Sequence, residues 1–121
     1  MAIVIELENN EQIITANLNG NGTAKEGISE FPKIVRFCKD HNKNKLLVNI
    51  INTKLSLDTM GVFQAAVNME IFRDNHIKVA LLSLIELKDE SHFAETVAQN
   101  RGTNFRTFTD LDTAINWLLN N

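Results

Sequence analysis

Two uninterrupted apolar runs constrain this chain more than any other feature. "KLLVNII" (45–51) and "KVALLSL" (78–84) are each bounded by polar residues. A strand with one wet face alternates apolar and polar residues. A strand that is apolar throughout must be covered on both faces, which is the mark of parallel strands between layers of helix. Between the runs, "VFQAAVNMEIFRDN" places Phe63, Val67 and Ile71 at four-residue steps, with Val62, Ala66 and Met69 alongside. That is a broad helical face, and a helix joining two buried strands is a crossover connection.

The flanking segments extend the pattern. "AIVIELE" alternates, with Ile3, Ile5 and Leu7 on one face, so it reads as a half-buried strand. "NNE" is a turn signal and "QIITANL" a second strand; so short a connection permits only an antiparallel hairpin. "NGNGT" then predicts a strand-to-helix turn, with Thr23 and Glu26 spaced as a capping box. Ser29, Glu30 and Pro32 form a second helix-start signal, followed by an apolar stripe of Phe31, Ile34, Val35 and Cys38 that ends near "HNKN". "DESHFAETVAQNRG" is a helix with acids at its start and Arg101–Gly102 at its end, suiting both dipole and C-cap. "NFRTF" is a short strand. "TDLDTAINWLL" is a final helix, capped by Thr109 or Asp110, whose buried stripe is Leu111, Ala114, Ile115 and Leu118. The expected fold is α/β in the order ββαβαβαβα. It has a five-stranded mixed sheet, the first strand antiparallel, and about four helices in one domain over residues 1–121.

At 121 residues the chain can bury a full core without staples. A net charge of −3 with interspersed signs lacks the basic face that nucleic acid or an anionic membrane requires. The single cysteine, Cys38, excludes a disulfide framework within the chain and fits a reducing compartment. "MAIVIELENN" lacks the basic and long apolar segments of a signal peptide, and no apolar run reaches membrane-spanning length. A cytoplasmic location is expected.

Residues that carry chemistry are sparse. His41, His76 and His92 are isolated from one another and from Cys38, without metal-ligand spacing. Cys38 lies on an apolar stripe with no partner that would make it a thiolate, so a buried structural thiol is expected. No nucleophile elbow or phosphate-binding glycine loop is present. Glu26, Asp58, Glu86, Asp89, Asp110 and Asp112 all fall near helix starts, where the helix dipole alone favours them. No enzyme activity, cofactor or metal is expected. Topology singles out one edge instead. In such sheets ligands and partners meet the loops at the carboxyl ends of the parallel strands. Here those loops are "NGNGT", "NTKLSLD", "IELKDES" and "TD", with Leu84, Ile85 and Leu87 close by. Their polar residues read either as helix caps or, with the leucines, as a docking surface.

This ordered set of elements resembles the STAS domain, the fold of the bacterial anti-sigma factor antagonists. It is most similar to the SpoIIAA-like (STAS/SEC14) group. The resemblance rests on "FRTFTDLDTAINWLL", in which Phe105, Arg106, Phe108, Asp110, Asp112, Ala114, Trp117 and Leu118 match that group's ending. It rests also on "KLLVNI", "KVALLS" and "NLNGNGT", and it spans nearly the whole chain. It implies a regulatory module that binds a protein partner through the carboxyl edge. The SEC14 association implies the alternative of a carrier or sensor for a small apolar ligand or lipid. In the antagonists the loop after the third strand reads Asp-Ser-Ser/Thr-Gly, and its first serine is phosphorylated. Matched to it, "DTMG" places Asp58 on the acid, Thr59 on the phosphoacceptor and Gly61 on the glycine, with Met60 in place of a small residue. Ser56 is the rival helix cap, which would put Thr59 three residues into the helix. The candidate binding residues are thus Lys54, Ser56, Asp58, Thr59 and Lys88. Exposed sheet edges and helix faces leave a homodimer open.

Overall fold

The computed structural model describes residues 1–120. Strand β1 (Ala2–Glu8) and strand β2 (Ile13–Thr23) form the expected antiparallel hairpin, with Ile3 opposite Leu18 and Leu7 opposite Ile14. Asn9, Asn10 and Glu11 all take positive φ (55°, 57° and 63°), a geometry that asparagine tolerates and that makes the tight reversal. Strands β3 (Lys45–Ser56), β4 (Lys78–Leu82) and β5 (Phe105–Phe108) then add in parallel, giving the order β1-β2-β3-β4-β5.

Both apolar runs are covered on two faces, for the reason their composition implied, except at Leu84, which lies beyond the end of β4 and is exposed. In β3, Leu46, Val48 and Ile50 face one core while Leu47 and Ile51 face the other; in β4, Val79 and Leu81 oppose Ala80 and Leu82. The larger core lies under helices α1 (Ala24–Ser29), α2 (Phe31–Asp40), α3 (Thr59–Asn68), α4 (Glu70–Asp74) and α5 (Lys88–Asn100). Its centre is Phe72, fully buried and with its ring 5.0 Å from that of Phe31. Burying one such side chain contributes roughly 2–3 kcal/mol. The smaller core lies under α6 (Leu111–Leu119), where Ala114 and Leu118 meet Leu47, Ala80 and Leu82. The three helical connections and the final helix are as expected, but two of the connections are divided, at Glu30 and at Met69.

The structure corrects two boundaries. The second strand does not stop before "NGNGT", and the third does not stop at Ile51. Both continue as a parallel pair, with Asn21 opposite Lys54, Gly22 opposite Leu55 and Thr23 opposite Ser56. The glycines and asparagines conceal this extension because they mark turns elsewhere. Here they surround a register shift between Asn17 and Asn19, beside which Gly20 takes φ +93°. Asn49 supports the irregularity: its amide donates to Asn17 Oδ1 (3.0 Å) and its Oδ1 accepts from the Ile51 N–H (3.1 Å).

Candidate functional site

The carboxyl edge is assembled from the ends of four parallel strands and the helices that leave them. Thr23 closes a reciprocal capping box on α1, accepting from the Glu26 N–H (3.2 Å) while Glu26 Oε1 accepts from the Thr23 N–H (3.2 Å). Asp110 caps α6, its Oδ2 accepting from the Thr113 N–H (2.9 Å) and hydroxyl (2.6 Å). These two bonds, the hydroxyl's being the stronger, hold the Asp110 carboxyl below the usual aspartate range. Of the two caps that the last helix offered, the structure uses Asp110.

At "LSLDTMG" the cap is Asp58. Its backbone is extended (φ −110°, ψ 171°) and its Oδ1 accepts from the Gly61 N–H at 2.6 Å. Ser56 is therefore not the cap: it is an exposed strand residue, two positions before the cap. Thr59 is the first residue of α3, not the third, and is exposed. Gly61 is demanded by close approach. A Cβ there would stand 2.9 Å from Asp58 Oδ1 and 3.2 Å from the Ala24 side chain, so the glycine lets α3 keep its cap and lie against α1.

The five sequence candidates do not form one cluster. Lys54, Ser56, Asp58 and Thr59 follow one another along the end of β3 and the start of α3, all exposed, with Lys54 and Ser56 in the strand rather than in a loop. Lys88, the first residue of α5, lines a different depression. That groove, about 440 Å³, lies between α5 and the start of α6 and is also lined by His92, Glu95, Arg106 and Asp110. Its acids are engaged structurally: Glu95 Oε1 accepts from the Thr107 N–H (2.7 Å), and Asp110 caps α6. Among the described residues no group of three or more His, Cys, Asp or Glu side chains is placed to hold a metal ion. Among the described residues no helix is long and apolar enough to cross a membrane. Cys38 is buried, and burial pushes its thiol up to about 11.

The edge also carries exposed apolar residues, two of which the sequence reading had placed on helix faces turned inward. Met60 (62% exposed), Phe63, Leu84, Ile85 (58% exposed) and Leu111 all project from segments that follow β3, β4 or β5. Leu84 and Ile85 were legible there. Phe63 was read on the buried face of its helix and Leu111 in the buried stripe of the last; both are large and exposed. The signal that assigns Phe63 correctly is the spacing Val62–Ala66–Met69, which supplies the buried face of this helix.

Beneath the helices lies a second feature, an apolar cavity of about 130 Å³. It extends from Leu55, Leu57 and Leu87 near the carboxyl edge to Phe72 and Phe105 in the larger core.

No family model and no curated protein matches the chain. Solved structures do. One is an uncharacterised DUF3478-family protein with a SpoIIAA-like fold from Shewanella loihica PV-4, at TM-score 0.59 and 18% identity over 97% of this chain and 92% of that one. Another is the anti-sigma factor antagonist SpoIIAA in its unphosphorylated form, at TM-score 0.57 and 13% identity over 97% of each chain. This chain has the SpoIIAA-like fold, the fold of STAS domains. The particular features set on that fold here are the Asp58 cap with an exposed Thr59 beside it, the apolar rim, and the cavity beneath.

Proposed function

We propose that this chain is a non-catalytic binding module that docks a protein partner through its carboxyl edge. The observation that carries this reading is the set of exposed apolar side chains on that edge: Met60, Phe63, Leu84, Ile85 and Leu111. Apolar side chains left in water on one rim are what an interface core is built from. The fold neighbour that is an anti-sigma factor antagonist supports a regulatory role of this kind. Thr59 then stands where a phosphate would meet the free N–H groups of α3 and would change the charge of the docking face.

The test is capture of the partner by the native chain and by its variants. A chain carrying Met60→Lys and Ile85→Lys should keep its melting temperature, because both residues are exposed, and should lose the partner. Undiminished capture would remove the docking reading. Thr59→Asp should weaken capture while Thr59→Ala preserves it. If both variants behave alike, Thr59 is not a switch.

A second reading, a carrier or sensor of an apolar ligand, is favoured by the cavity under α1, α3 and α5. Its volume favours a small molecule over a full lipid. A core cavity of about 150 Å³ accommodates benzene, which is close to the room available here.

A further inference from the structure

Strand β1 closes the sheet on one side. β2 lies beside it, and no strand among the described residues lies beyond it. Half of the backbone N–H and C=O groups of such an end strand point away from its neighbour and are open to pairing. End strands are commonly blunted by proline, a bulge, lysine or short length. β1 has none of these: its seven residues pair with β2 in unbroken register from Ala2 to Glu8. Its two rows of side chains differ. Ile3, Ile5 and Leu7 pack against the larger core but are only half-buried, whereas Leu18, Ala16 and Ile14 opposite them in β2 are buried. The other row, Val4, Glu6 and Glu8, is exposed. Opposite it β2 offers Asn17, Thr15 and Ile13, none of them cationic. Neither carboxylate is in an ion pair among the described residues. A hydrogen bond shared with Glu6, then burial, then the Glu6 charge raise the Glu8 carboxyl above the usual glutamate range, against the lowering effect of the Thr15 hydroxyl.

We propose that the free edge of β1 accepts an extended segment of a partner protein as a sixth strand, with apolar residues alongside Ile3, Ile5 and Leu7 alternating with cationic residues alongside Glu6 and Glu8. Main-chain hydrogen bonds supply the affinity of such an added strand, and its alternating side chains supply the selectivity. The occupant is a partner and not a second copy of this chain, because pairing β1 with itself brings four carboxylates onto one exposed face. The surface is separate from the carboxyl edge. Glu8 lies opposite Ile13, the first residue of β2, so the two acids sit toward the other end of the sheet.

The experiment titrates an end-blocked heptapeptide of alternating valine and lysine into the full chain and follows the backbone amide NMR signals. Those of β1 should move. The peptide should bind about tenfold tighter than its counterpart with glutamate in place of lysine, the ratio that a pair of opposite-charge cross-strand contacts supplies. The double variant Glu6→Gln, Glu8→Gln should lose that preference. Two more lysine peptides, N-methylated on every valine or on every lysine, carry the same charge. Only one of them can turn unmethylated N–H groups toward β1, so one should bind and the other should not. Equal binding of these two would be charge attraction without an added strand, and overturns the inference. Signals that move only at the carboxyl edge, or not at all, overturn it as well and leave the docking reading standing. Signals of β1 that move with the chain's own concentration, without peptide, would make the occupant a second copy and overturn it too.

Discussion

At the scale of single residues, the start of α3 divides its work between neighbours. Asp58 supplies the cap through Oδ1, Gly61 makes room for it, and Thr59 is exposed beside them. Asp58→Ala should therefore cost about 1 kcal/mol in urea unfolding, the usual worth of an N-cap. Ser56→Ala and Thr59→Ala should each fall within about 0.5 kcal/mol of the native chain, as exposed substitutions do. A loss at Ser56 equal to that at Asp58 would return the cap to Ser56. Cys38 provides a pH test. Its thiol is raised from 9.0 to about 11 by burial, so the folded state keeps a proton that the unfolded state releases. Stability from this group is complete below about pH 8.5 and declines as pH rises toward 11. Cys38→Ala should show a shallower decline over that range in urea unfolding. The native thiol should also react with a disulfide reagent only at the rate of unfolding.

At the scale of elements, helix ends are where local chemistry and tertiary packing meet. The end of α5 is a Schellman motif. Gly102 takes φ +84°, its N–H donates to Gln99 O (3.0 Å), and the Thr103 N–H donates to Ala98 O (3.0 Å). A Cβ on Gly102 would sit 3.4 Å from Arg73 Cδ, so space is adequate and conformation is the obstacle. Gly102→Ala should lower stability by about 1 kcal/mol, the cost of a left-handed non-glycine residue, and calorimetry will measure it. Helix α6 is held at its other end by Lys78. The ammonium donates to the carbonyls of Trp117 and Asn120 and lies 4.4 Å from the centre of the Trp117 ring. Burial, followed by the nearby Lys45 charge, lowers the Lys78 pKa. The "W" and "L" of the C-terminal match to the STAS/SEC14 group thus have a physical role. Leu118 fills the smaller core, and Trp117 meets both the Lys78 ammonium and the ring of Phe108, which is tilted to it by 47° at 5.6 Å.

At the scale of the whole molecule, the sheet separates two cores of unequal size, and the larger holds the cavity. Filling that space separates fold from binding. Ala94→Leu, on the α5 wall, should raise stability by about 0.5–2 kcal/mol, as cavity-filling substitutions do, and should abolish uptake of toluene. Unchanged toluene binding in this variant would place the ligand elsewhere. The docking edge and the cavity share elements, since Met60 and Val62 lie on the same helix, one facing solvent and one facing the cavity. The two functional readings therefore make separable demands on α3.

The sequence by itself determined the sheet, its antiparallel first strand, the crossover helices and most of the caps. Those follow from periodicity, from continuous apolar runs and from the chemistry of free N–H groups, all of which act over a few residues. Only the tertiary structure decided the rest. "NGNGT" and "NTKLS" pair as strands because each supplies the other with backbone partners across 30 or so residues, which no local turn signal reports. Phe63 and Leu111 face solvent because the rotation of a helix on the sheet is set by what it packs against, not by its composition. The cavity arises from three helices meeting over one sheet, so it is not a property of any single segment.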